Sequence, residues 1–156
     1  MTTPLTLQDE LVEELKRLLA DYLYKSPTGE RVPIKVFAQS IPINETDEEE
    51  DPIPYVIVRL NKGSDEGTRD SNHIVKLVII IGIWDDGLDA QAHRTVMNII
   101  NKVYRRFQAN PNLNHKAVYA GNFDWLLQED NYYPYSFGAC SLDFYIAAIR
   151  REDPFA

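Results

Sequence analysis

With 156 residues, 44% apolar and 26% charged side chains, the chain has the length and composition of one soluble domain able to bury a hydrophobic core. Its formal charge of −8 argues against nucleic-acid binding, which needs a basic patch to displace counterions from phosphates. It suits a subunit that stays soluble or repels DNA. The lone Cys140 excludes an internal disulfide and fits a reducing compartment.

Seventeen aromatic residues, nine of them tyrosines, argue against disorder over most of the length. The first ten residues lack the basic start and apolar run of a signal peptide. The longest apolar run, Leu77–Trp84, is eight residues, against the roughly 20 needed to span a bilayer. One domain over 1–156, soluble and intracellular, is the expectation.

In chain order, Leu7, Leu11, Leu15, Leu18, Leu19 and Tyr22 recur at three- and four-residue steps, predicting an amphipathic helix over 7–24. Thr6 is its expected N-cap, with Asp9 and Glu10 in the first turn favoured by the helix dipole. Val32–Ala38 reads as one short strand, confined to an edge or a first position by Pro33. Glu45, Asp47, Glu48, Glu49, Glu50 and Asp51 place six carboxylates within residues 44–51, so mutual repulsion predicts a solvated, mobile loop over about 44–54.

Tyr55–Leu60 is a strand of strong β formers, Asn61–Asp70 a long hairpin loop, and Asn72–Trp84 the longest strand. From Leu77 onward that strand is apolar on both faces, so both sides of the sheet call for cover: helices on one, a neighbouring chain as a candidate for the other. Asp85-Asp86-Gly87 turns into a second helix over about 89–108, with Ala92, Val96, Ile99, Ile100, Val103 and Phe107 as its apolar stripe.

Val118–Gln128 alternates, with Tyr119, Phe123, Trp125 and Leu127 on one side and Asn122, Asp124 and Gln128 on the other. After a turn at Asn131–Tyr135, Ala139–Ile149 alternates again, Cys140, Leu142, Phe144, Ile146 and Ala148 inward, Ser141, Asp143 and Tyr145 outward. The tail from Arg150 is expected to fray. The class is α+β: an antiparallel or mixed sheet of about 4–5 strands with two helices packed on one face.

No residue pattern in the sequence points to catalysis, cofactor binding or metal binding. His73, His93 and His115 do not share metal-ligand spacing with one another or with Cys140. The glycines are scattered singly, so no phosphate loop forms. Cys140, on an inward strand face, reads as a small hydrophobe. Asp85-Asp86 is expected to cap the second helix, and Asp124 and Asp143 to be solvated carboxylates on one polar face. The acidic run lacks the spacing and glycine hinge of a calcium loop. Tyr132, Tyr133, Tyr135 and Phe137 are the candidate subunit contact, because tyrosines offer large contact area at low entropic cost.

Four segments in this order, Pro54–Leu60, Val78–Trp84, Val96–Val103 and Tyr133–Gly138, resemble the tail-terminator (tail completion) family of tailed bacteriophages and prophages, across roughly residues 50–150. The resemblance implies an α+β subunit without an active site that closes into a hexameric ring at the head-proximal end of the virion tail, formed in the host cytoplasm. Its partners would be further copies of itself, the major tail tube protein and the head–tail connector or stopper. The acidic run Glu45–Asp51 would be solvated or line the lumen, repelling DNA in transit. Two other readings are another neck, head–tail joining or tube-related protein, and a small enzyme or ligand-binding module with a site between sheet and helices, which a deep pocket holding Asp124 and Asp143 would favour.

Overall fold

A computed structural model describes residues 2–43, 52–68 and 72–147. The acidic run and the tail from Arg150 lie outside the described residues.

The chain opens with helix α1, Pro4–Leu19. It begins three residues earlier than its apolar periodicity suggests: Thr3 is the N-cap, its hydroxyl accepting the Thr6 N–H at 3.1 Å, and Pro4 takes the first turn. Proline fits there because its missing N–H is one that no helical carbonyl would have met. Leu7, Leu11, Val12, Leu15 and Leu19 form the buried stripe. The helix stops at Leu19, and Leu23 and Tyr24, assigned to it by periodicity, open strand β1, Leu23–Lys25, instead. Tyr22 is exposed, with the Lys102 ammonium 4.0 Å from its ring centroid.

β1 pairs with β2, Arg31–Pro33, in a two-stranded ribbon. The stretch Val32–Ala38 is therefore not one strand. It divides at Ile34 between β2 and β3, Lys35–Ala38, which belong to different sheets. Proline at the end of β2 accounts for the break, since it cannot donate to a ladder.

The main sheet has six strands, more than the four or five expected, in the order β3-β4-β5-β8-β7-β6. It comprises β4 (Tyr55–Asp65), β5 (His73–Trp84), β6 (Asn112–Leu113), β7 (Ala117–Leu127) and β8 (Tyr135–Ile146) beside β3. β3 runs parallel to β4 and every other pairing is antiparallel, so the sheet is mixed. β4 continues to Asp65, past Leu60, through an irregularity between Leu60 and Lys62 that the run of polar residues hid.

Helix α2, His93–Ala109, begins later than the predicted residue 89, and Asp85 does not cap it. The Asp85 carboxylate instead accepts the Gly87 N–H and the Lys25 ammonium, both at 2.9 Å. Partial burial pushes that carboxyl up, but these two partners outweigh it and hold its pKa below the ordinary value.

Both helices lie on one face. Leu7, Leu11 and Leu15 of α1 and Val96, Ile99, Val103 and Phe107 of α2 join Val58, Leu77, Ile79, Ile81, Leu142 and Phe144 in one core. Each such aliphatic side chain stabilises the fold by about 1.5–3 kcal/mol on burial. Phe107 meets Phe144 edge-on, ring centroids 5.3 Å apart. Two polar ties fix the helices: Gln8 donates to the Val58 carbonyl at 2.8 Å, and Arg106 Nε to Glu14 at 2.6 Å.

Candidate functional site

Cys140 is buried, as an inward strand position requires, and burial pushes its thiol up to about 12, so it carries no reactive thiolate near neutrality. The three histidines lie at the start of β5, the start of α2 and the loop after β6. Among the described residues no group of three or more His, Cys, Asp or Glu is placed to hold a metal ion. No helix among them is long and apolar enough to cross a membrane.

Asp143 departs from expectation. It points to the outer face with Lys76 and Ser141 but is only 9% exposed. Asn122 donates to its Oδ2 at 3.0 Å, Lys76 Nζ approaches Oδ1 at 4.0 Å, and Oδ1 has no hydrogen bond among the described residues. Its cover comes from a β-bulge that sequence alternation concealed. Residues 120–122 of β7 stand opposite Asp143, with Gly121 at φ +93°, and this swings Asn122 over the carboxylate. Asp124 is exposed and does not line the cavity of about 290 Å³ that Asp143 shares with Lys62 and Lys76. The two carboxylates are thus placed in different surroundings rather than joined in a solvated pair.

The strand registers make the outer sheet face legible row by row. One row runs Phe37, Ile57, Ile80, Ala139, Leu126 across five strands, all apolar. The next toward the β8 start is Tyr55, Gly82, Phe137, and beyond it Trp84 pairs with Tyr135. In the other direction come polar rows, Arg59, Val78, Ser141, Asp124 and then Lys62, Lys76, Asp143. The outer face is therefore divided, apolar at one end and charged across its middle. At Gly82, in the apolar half, a Cβ would stand 2.5 Å from the far end of the Tyr55 ring lying across it.

The predicted aromatic cluster belongs to this apolar half. Tyr135 stacks on Phe137 with ring planes 11° apart, and Tyr132 meets Phe137 edge-on at 6.2 Å. Tyr132, Tyr133 and Tyr135 are exposed, while Phe137 is half-buried. Tyr133 is fixed by its hydroxyl, which donates to the Asp86 carbonyl at 2.6 Å. The structure thus joins Tyr132, Tyr135 and Phe137 through ring contacts, ties Tyr133 to Asp86, and sets Phe37, Ile57, Ile80 and Trp84 on the same outer face, Ile57 already buried there. Only strand pairing across the sheet could reveal that placement. The six acidic residues Glu45, Asp47, Glu48, Glu49, Glu50 and Asp51 lie outside the described residues.

No protein-family model matches the chain, and no curated protein matches it in sequence.

Proposed function

We propose that the chain is a structural virion subunit, a tail terminator that closes into a ring, caps the head-proximal end of a phage tail tube and docks the head–neck connector. The observation that carries this reading is the apolar half of the outer sheet face, continuous with the exposed Tyr132–Tyr135 cluster and covered by neither helix. Copies arranged head to tail would bury this face, and a closed ring would leave no such surface free to propagate. The charge of −8 per subunit suits a lumen that DNA must pass without sticking.

The test is light scattering of the purified chain followed by negative-stain imaging with purified tail tubes. Closed rings seated on tube ends are expected. Open-ended polymers would favour the second reading, a tube-related or other head–tail joining protein. A chain that stays monomeric and leaves tube ends bare would remove both. The lumen assignment has its own test: exchanging Glu48, Glu49 and Glu50 for Gln should slow DNA ejection, and an unchanged rate removes it.

A further inference from the structure

β7 has an edge left open for most of its length among the described residues. β6 pairs with it only at Ala117 and Val118, and Tyr119 N–H reaches the Pro111 carbonyl. Beyond the bulge nothing among the described residues pairs with the far side of the strand. The Gln128 N–H donates to the Phe137 carbonyl, so even-numbered residues of this stretch bond to β8. Phe123, Trp125 and Leu127 must then turn their N–H and C=O groups outward. Proteins usually blunt such an edge with lysine, proline or a very short strand. Here Trp125 and Leu126 stand on it, 55% and 63% exposed.

Beside this edge, on the helix side, lies a groove of about 510 Å³ with Met97, Ile100 and Tyr104 of α2 as one wall and Phe123 and Trp125 as the other. Tyr104 meets Phe123 edge-on at 5.1 Å, which shapes the groove floor. The helix wall continues along one stripe at steps of four, three and four: Arg94, Asn98, Asn101, Arg105. Both arginines are exposed, and neither has a carboxylate partner among the described residues, although the chain has an excess of acidic groups.

We infer that the β7 edge and the α2 groove together receive an extended, acidic segment of a different polypeptide, added to the sheet as a seventh strand. Each property of this occupant answers one feature. The outward amides of Phe123, Trp125 and Leu127 require an extended backbone. The groove requires an apolar side chain on the helix-facing side of the added strand. Arg94 and Arg105 require carboxylates on that same side. Eleven helical residues separate the two arginines by about 16 Å. Same-face strand residues four apart are about 13 Å apart, a difference the long arginine side chains span. A second copy added through its own β7 fits less well, since the helix-facing positions of that strand, Phe123, Trp125 and Leu127, carry no carboxylate for the arginines. This inference does not depend on the ring reading.

The probe is a capped heptapeptide with threonines at alternate positions on one face, and on the other a central isoleucine flanked by two glutamates. It is titrated into the full chain while amide exchange is followed residue by residue. At a peptide concentration of about nine times Kd, exchange at Phe123, Trp125 and Leu127 should slow about tenfold. A companion peptide with lysines for the glutamates should give no protection, and Arg94→Glu with Arg105→Glu should reverse the preference between the two peptides. Absence of protection by either peptide overturns the proposal. Equal protection by both removes its acidic part and with it the assigned occupant. Protection in the chain alone that grows with its concentration overturns it in favour of a second copy.

Discussion

The two faces of the sheet are built from the same strands and have met different fates. On the inner face Leu77, Ile79 and Ile81 of β5 are wholly buried beneath the helices. On the outer face their immediate neighbours Val78 and Ile80 are only half-buried, shielded by the side chains of adjoining strands and by no helix. One chain can therefore carry apolar residues on both sides of a strand and complete a core on only one of them. An apolar side chain covered only by its sheet neighbours has a smaller share in the stability of the isolated chain. Its remaining surface is available for contact.

The strongest way to break this contrast is a pair of truncations on adjacent residues. Leu77→Ala should cost about 2–5 kcal/mol in urea unfolding, because α1 and α2 cannot collapse into the space left. Ile80→Ala should cost clearly less. If the two costs are equal, the outer face is core after all and the contact reading fails.

The two close-approach glycines sharpen the comparison at smaller scale. A Cβ at Gly138 would stand 2.5 Å from Val96 of α2 and 3.3 Å from the Leu126 carbonyl, so Gly138→Ala should push the helix off the sheet and cost about 1–3 kcal/mol. At Gly82 the obstacle is the far end of the half-exposed Tyr55 side chain rather than a helix or a backbone carbonyl. Gly82→Ala should therefore be milder in thermal unfolding, and an equal loss would show that Tyr55 is locked in place.

The smallest expected effect concerns how the helices are held on the inner face. Partial burial raises the Glu14 carboxyl, but hydrogen bonds from Arg17 and Arg106 outweigh it, and its pKa is held below the ordinary value of 4.5. A carboxyl depressed in the folded state adds stability above its unfolded pKa and loses it as pH falls through the folded one. Glu14→Gln should thus cost about 1–2 kcal/mol at pH 7. The gap from wild type should close as unfolding is measured at pH values progressively below 4.5. A gap that persists in acid would mean that the contact works by packing rather than charge.

Much of the fold is legible in local residue patterns. The apolar periods located both helices, and the alternation placed Leu142, Phe144 and Cys140 inward, because one side chain's direction follows from the last within a regular element. The boundaries were less accessible. Thr3-Pro4 outranked Thr6 as a helix start through proline's missing N–H, and Ile34 divides two strands whose partners lie in different sheets. The bulge at Gly121 looked like uninterrupted alternation, and with it the burial of Asp143 stayed hidden.

The candidate surfaces divide along the same line. The cluster Tyr132, Tyr133, Tyr135 and Phe137 is visible as a local density of aromatics, and the two-sided apolarity of Leu77–Trp84 by itself demanded cover on both faces. Sequence alone thus determined which segments are rich in contact-forming side chains and which way most of them point. Tertiary structure decided the rest. Pairing in register set Phe37 and Ile57 beside Ile80, and the limited reach of α2 left Trp125 exposed on an open edge. These outcomes depend on residues far apart in the chain, whose proximity is set by the packing of the whole sheet and not by any local period.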